Sequence, residues 1–285
     1  MIPYLPIECG VSRHTAFLLN HKADMRKIDI DELKKLQQDI LDDIVEFCNR
    51  NNLRYFLAYG TLLGAVRHKG YIPWDDDIDI HMPRADYEKF LKTYNSEKGE
   101  NEVVSHESNR KYHVPFAKVF RKGTIVNEFF YKQSVFGVYV DIFPIDGIKS
   151  KIQAYICGQC IRCMYIKTSI FCDRQSLARK IRLLVTKMIL LPFSEHLILS
   201  TIRKISTMYS IEECDNVCSF GSRTALREIL PKSVFAKSGT MAFEGKEYSI
   251  PAGYDTYLKS KYGNYMQLPP EEKRVSTHDS TASWL

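Results

Sequence analysis

The chain alternates between segments that carry one apolar stripe and short segments that are apolar throughout. From Asp29 to Arg50, Leu33, Leu36, Ile40, Ile44 and Phe47 recur at intervals of three and four behind the acidic start Asp29, Asp31 and Glu32. This spacing predicts a helix with one buried face and an N-terminus matched to negative charge. Leu53 to Tyr59 is short, aromatic and almost wholly apolar, as expected of a strand covered on both faces. Gly60-Thr61 ends it, and a short helix is expected over Leu62 to Arg67. A second strand is expected over Asp77 to Met82, followed by a helix that Pro83 opens and that runs to Tyr94. Further strands are expected at Pro115 to Arg121 and at Gly137 to Phe143, where Val138, Val140 and Ile142 alternate with Tyr139, Asp141 and Phe143.

After Lys151 the pattern becomes helical, rich in Lys, Arg, Ile and Leu, with little strand character as far as about Arg227. Gly, Pro and Tyr punctuation returns from Phe235, with a hairpin expected around Phe243 to Ile250 and a helix over Tyr254 to Tyr262 ended by Gly263. The fold class read from this order is α/β (α+β), a mixed sheet flanked by helices with a helical insert. The divisions are an N-terminal extension (1–28), a core (29–150), the insert (151–230) and a C-terminal segment packing back on the core (231–285).

Composition narrows the choice of partners more than the fold. With 45% hydrophobic and 26% charged residues among 285, the chain is neither disordered nor fibrous. The net charge of +6 suits an anionic partner. Its basic residues are dispersed and not interleaved with aromatics, which argues against nucleic acid. Pro3, Pro6, Glu8, Arg13 and His14 break up the start of the chain, so no secretion signal is read there and a cytoplasmic location is expected. No uninterrupted apolar run reaches about 18 residues, so a membrane span is not expected. Arg179 to Lys204 mixes Ile and Leu with Arg179, Lys180, Arg182, Lys187, Arg203 and Lys204. The segment 176–205 therefore either packs inside the protein or lies peripherally on anionic lipid.

The eight cysteines are read as reduced thiols. Cys157, Cys160 and Cys163 form C-x-x-C-x-x-C without a fourth ligand at a standard offset, in a segment that reads as helix. Cys214 and Cys218, taken as one helical turn apart, leave a metal reading open.

The candidate chemistry lies between Tyr59 and Ile80. In a strand, Asp77 and Asp79 share a face with Cα atoms about 6–7 Å apart, while Ile78 and Ile80 face the core. Two carboxylates on one surface repel unless a hard divalent cation such as Mg²⁺ or Mn²⁺ sits between them, with open positions left for phosphate oxygens. Asp75 and Asp76 precede the strand, and Gly60 and Thr61 offer backbone N–H groups and a hydroxyl at a strand-to-helix junction. Asp141, on the polar face of a later strand, supplies a third carboxylate, as metal ligand or as base. The bland alternative is a solvated acidic turn, as most charge runs are. It leaves unexplained the flanking Ile78 and Ile80, the Gly-Thr junction and the Arg67-His68-Lys69 triplet.

Gly60 to Ile80, together with Val140-Asp-Ile-Phe-Pro-Ile-Asp-Gly147, resembles the LicD family of phosphotransferases, which includes phosphorylcholine transferases and is similar to the catalytic part of fukutin and the fukutin-related protein. The resemblance continues through Phe243 to Pro251, Leu258 to Tyr265 and Leu268-Pro-Pro270, covering about 30–150 and 235–280. It implies a nucleotidyltransferase-like catalytic core, a CDP-activated donor such as CDP-choline, and a glycan acceptor of the cell surface, lipid-linked or free. Position by position, Asp77 and Asp79 match the family's metal-binding pair, Asp75 its preceding acid and Asp141 its later strand acid. Gly60 and Thr61 match a Gly-Ser/Thr element, with Thr keeping the hydroxyl.

The expected reaction is attack of an acceptor hydroxyl on the distal phosphorus of the donor, with CMP leaving. Lys118 and Arg67 are candidate phosphate partners, and Trp74 or Tyr71 can stack on the base or cage a quaternary ammonium. Each of the four has an ordinary alternative, as surface charge or packing residue, and His278 is read as structural. The competing functions are a nucleotidyltransferase that releases pyrophosphate and a non-catalytic glycan-binding protein.

Overall fold

Helix α1 (Ile30–Arg50) forms where the spacing places it, and Asp29 caps it by accepting a hydrogen bond from the Glu32 amide at 2.9 Å. Its Ile40, Leu41 and Ile44 are fully buried. The computed structural model describes residues 25–96, 99–109, 111–128, 137–169, 176–275 and 280–285. The expectations placed on 1–24 and on His278 lie outside the described residues.

A short strand β1 (Lys27–Ile28) precedes α1. Beyond α1 the chain makes β2 (Phe56–Leu57), α2 (Tyr59–His68), β3 (Asp79–Pro83), α3 (Arg84–Thr93), β4 (Asn101–Val104), β5 (Ala117–Arg121), β6 (Thr124–Glu128) and β7 (Tyr139–Ile148). The central sheet has the order β2-β3-β7-β5-β4. Within it β3 and β7 are parallel and their other pairings antiparallel. This agrees with the mixed α/β class read from the sequence.

Three helices follow: α4 (Lys151–Thr168), α5 (Leu177–Ile189) and α6 (Glu195–Ser206). Ser150 and Gln153 close a capping box at the start of α4. The chain then forms β8 (Asn216–Cys218), β9 (Ile229–Pro231), the hairpin β10 (Ser238–Phe243) with β11 (Lys246–Pro251), α7 (Tyr254–Tyr262) and β12 (Ser280–Trp284). Strand β12 lies between β1 and β6 in a separate sheet.

Several bounds differ from the sequence reading. The strand expected over Leu53 to Tyr59 is reduced to Phe56–Leu57, because α2 already starts at Tyr59 and carries Gly60 and Thr61 in its first turn. Strand β3 starts at Asp79 rather than Asp77, since pairing with β7 begins where the Ile78 carbonyl accepts from the Asp141 amide. The helical pattern ends at Ser206, not near Arg227. The edge of β7 from Asp146 to Ile148 offers unpaired backbone groups, and β8 satisfies them. Cys214 and Cys218 are thus not on one helix: Cys218 belongs to β8.

Apolar side chains gather in two clusters. The larger joins α1, the central sheet, α2 and the C-terminal hairpin and helix. The smaller holds Ile148, Ala154, Cys157, Ile161, Met164, Ile198, Leu199 and Ile202 with residues between 218 and 225. Where the two meet, Arg84 donates twice to the Asp146 carboxylate, at 2.6 and 2.7 Å. This bidentate pair anchors the first turn of α3 to β7.

Candidate active site

The register of the central sheet brings distant polar residues into one row. Asp79 on β3 stands opposite Asp141 on β7, and Asp141 stands opposite Lys118 on β5. Residues directly opposite on adjacent strands point to the same face, so the three side chains share one side of the sheet. Lys118 donates to Asp141 Oδ1 at 2.6 Å, and each of the three residues is only 8% exposed. The Lys118 ammonium also lies 3.3 Å from the centroid of the Tyr139 ring.

Two backbone contacts fix Asp79. Its amide donates to the Thr61 hydroxyl at 2.8 Å, and its carbonyl accepts from the Ala58 amide at 2.9 Å. Thr61 therefore couples the first turn of α2 to the first residue of β3. In the same turn a Cβ on Gly60 would come within 2.5 Å of Asp75 Oδ2, so the missing side chain is what lets the Asp75 carboxylate lie against the helix. Burial, followed by the charges of Asp77, Asp141 and Asp75, holds the Asp79 carboxyl well above the usual carboxylate range, while Lys118 acts in the opposite direction.

Tyr59, which precedes Gly60, has φ 42°, in the left-handed region that is unfavourable for a residue with a Cβ. Its surroundings hold it there. The Tyr59 amide donates to the Tyr257 hydroxyl at 3.1 Å, its ring packs 4.9 Å from His81 and 5.1 Å from Phe143, and its hydroxyl donates to Glu228 at 3.1 Å. Lys261 pairs with the same Glu228 carboxylate, and both side chains are 8% exposed. Tyr262 keeps 43% of its surface exposed. Desolvation of its hydroxyl end, followed by the charges of Asp79, Asp75 and Asp77, pushes its ionisation up, against a smaller opposite effect of Arg67.

The structure thus unites Asp79, Asp141 and Lys118 in one row and places Gly60, Thr61 and Asp75 beside it. Asp77, two residues before Asp79, raises the Asp79 carboxyl through its charge. Arg67 donates to His68 Nε2 at 2.9 Å and to the Tyr265 carbonyl at 2.7 Å, which ties it to the C-terminal segment. Trp74 lies 6.3 Å edge-on from His68, with the Arg274 guanidinium 5.9 Å from its ring. Tyr71 is built into packing: its hydroxyl contacts the Lys34 carbonyl and Gln37, and its ring lies 5.0 Å from Phe243.

Cys157 is buried on α4, and burial pushes its thiol up to about 12. Among the described residues no three His, Cys, Asp or Glu side chains converge as a ready ligand set, at the cysteines or elsewhere. Sequence reasoning assigns no part to His81, Glu228, Lys261 and Tyr262, and takes Tyr59 only as the start of the informative stretch. Glu228 and His81 carry no local signal, whereas Lys261 and Tyr262 fall in the Leu258 to Tyr265 stretch already singled out.

The central parallel pair of the mixed sheet thus presents two buried carboxylates beside a strand-to-helix turn. Residues 52–159 match the protein-family model described as "LicD/FKTN/FKRP, nucleotidyltransferase domain". The chain is 31% identical over 265 residues to the lipopolysaccharide cholinephosphotransferase LicD of Haemophilus influenzae, covering 89% of this chain and 97% of that protein. It is also 39% and 35% identical over 80 residues to uncharacterised proteins of Rickettsia typhi and Rickettsia prowazekii, 25% of this chain and 26% and 30% of theirs. The chain belongs to the LicD family of phosphotransferases. Among the described residues no helix is long and apolar enough to cross a membrane.

Proposed function

We propose that the protein transfers a phospho-alcohol group, with phosphorylcholine the leading candidate, from a CDP-activated donor to a hydroxyl of a cell-surface glycan precursor. The acceptor is of lipopolysaccharide, teichoic acid or capsule type, free or lipid-linked, and is met on the cytoplasmic side. The observation that carries this reading is the identity of 31%, spread over 97% of a relative named as a lipopolysaccharide cholinephosphotransferase.

In this reading the acceptor oxygen bonds to the phosphorus that carries the alcohol, the bond from that phosphorus to the CMP oxygen breaks, and CMP departs with the bonding electrons. Asp141 takes the hydroxyl proton, and Lys118 holds its carboxylate in place. Thr61 fixes the position of Asp79, and Gly60 lets Asp75 approach; these are positioning roles.

Asp75, Asp77 and Asp79, with Asp141 as ligand or base, carry the hard oxygen donors that Mg²⁺ or Mn²⁺ takes, and would have to draw together from their present positions to hold the ion. Support for the fit comes from Asp79, whose ionisation is opposed by burial and by three neighbouring carboxylates, a penalty that a divalent cation relieves. When bound, the ion supplies charge neutralisation at the donor phosphates and the leaving group.

The test is a panel of CDP-alcohol donors with Mg²⁺ or Mn²⁺, reading CMP release with and without candidate glycans. Acceptor-dependent CMP release is expected, strongest with CDP-choline. Pyrophosphate as the leaving group, or glycan binding without turnover, would overturn the reading.

A further inference from the structure

Helix α5 presents an apolar stripe to solvent. Leu177, Ile181, Leu184, Val185 and Met188 recur at four- and three-residue intervals, so they fall on one face, and they are 73%, 54%, 50%, 49% and 60% exposed. The surface continues into the following turn, where Leu191 is 72% and Phe193 50% exposed. Single exposed apolar residues are ordinary, but a continuous face of this kind marks a surface that is covered in use.

The charge around the stripe indicates what covers it. From 176 to 194 the chain has Arg179, Lys180, Arg182 and Lys187 and no acidic residue. Arg182 is exposed beside the stripe. Lys187 bonds to the carbonyls of Lys167 and Ser169 near the end of α4, which fastens a flank of α5, about a quarter-turn from the stripe, to the protein. The helix is thus held along that flank while the stripe stays open. At 1.5 Å per residue its 13 residues give a face about 20 Å long. Apolar anchors combined with cationic side chains, on a helix too short to span a bilayer, have the chemistry of an interfacial helix on anionic lipid.

We propose that α5 and the turn after it form a docking surface for an anionic phospholipid bilayer, with the apolar stripe entering the headgroup boundary and Arg182 meeting lipid phosphates. The surface lies outside the aspartate row, so docking and catalysis are separable.

Flotation of the full-length protein with phosphatidylglycerol–phosphatidylcholine vesicles and with pure phosphatidylcholine vesicles tests this. Wild type is expected to float with the anionic vesicles and to be released by high salt. Leu184→Glu/Met188→Glu is expected to lower the partition coefficient by at least about tenfold, since one buried leucine side chain is worth about that factor. Arg182→Glu is expected to weaken binding to anionic vesicles with a smaller change on neutral ones. Circular dichroism and activity towards a water-soluble acceptor are expected to match wild type in both variants, so loss of folding is distinguishable. Equal flotation of wild type and Leu184→Glu/Met188→Glu, or no flotation of wild type with anionic lipid, would overturn the proposal. So would sedimentation showing a dimer that the same double variant dissociates, because a second copy would then be the occupant.

Discussion

Lys118 donates to Asp141 at 2.6 Å across β5 and β7, and Asp79 takes the next place in the same row on β3. Two roles for Lys118 follow, one in stability and one in turnover. Removing one member of a buried ion pair costs about 3–5 kcal/mol, because the other charge stays buried without its partner. Lys118→Met is therefore expected to lower the melting temperature, and Lys118→Met/Asp141→Asn to recover part of that loss. Both variants are expected to transfer at least about 100-fold more slowly than wild type. Thermal denaturation and CMP release measured on the same preparations separate the two effects. Recovery of activity along with stability in the double variant would contradict the role given to the pair.

Asp79 is expected to oppose stability in the absence of cations. Its carboxyl is raised above the unfolded value, so the folded state holds the proton more tightly than the unfolded state. Stability on this account falls as pH rises above about 3.9, the unfolded carboxylate value, and the penalty is fully present only above the raised folded value. Asp79→Asn is accordingly expected to melt higher than wild type in EDTA while losing transfer activity. A divalent cation at 100 times its dissociation constant is expected to stabilise wild type by about 2.7 kcal/mol and Asp79→Asn far less. Equal melting shifts with Mg²⁺ in the two proteins would remove Asp79 from the ligand set.

Much of this architecture is legible in the sequence because it rests on local periodicity. The stripe from Leu33 to Phe47 marks α1, and the alternation around Val140 marks β7. The carboxylates Asp75, Asp77, Asp79 and Asp141 are legible by residue type. What the sequence does not carry is register. Lys118 stands out as a cation on a strand, yet only the pairing β5–β7 turns it toward Asp141 and makes it the partner of a carboxylate as well as a candidate phosphate contact. The same holds for Glu228, which reaches Tyr59 across 169 positions of chain. Strands β1, β4, β6 and β12 escape periodicity because each is short and gains its stability from a partner elsewhere in the chain.

Gly60 gives a steric test of the turn. An alanine there would place its Cβ 2.5 Å from Asp75 Oδ2, and the carboxylate would have to move away. Gly60→Ala is expected to fold normally and to lose activity by about 10–100-fold, the scale of an ångström-level displacement in a reacting site. Steady-state kinetics alongside near-ultraviolet circular dichroism check this. Full activity would show that Asp75 is not needed where it stands.

His81 links the site's support to pH. Burial holds its imidazole down to about 3, against about 6.5 in an unfolded chain, and Nε2 lies 3.2 Å from the Tyr257 hydroxyl. Between those values the folded state binds fewer protons than the unfolded state. The stability from a neutral His81 is therefore complete above about pH 6.5 and is lost as pH falls towards 3. His81→Gln is expected to be less stable than wild type at pH 7.5 and to lose less on acidification to pH 4.5, as read from urea midpoints. Parallel pH dependence in the two proteins would contradict this.

The most direct test of the central claim is a paired product analysis with CDP-choline, a glycan acceptor and Mg²⁺, using wild type, Asp79→Asn and Asp141→Asn. The expected result is one CMP released per phosphorylcholine incorporated by wild type, with both variants folded and at least about 100-fold slower. Pyrophosphate in place of CMP, or wild-type rates in either folded variant, would contradict the claim that this aspartate row performs the transfer.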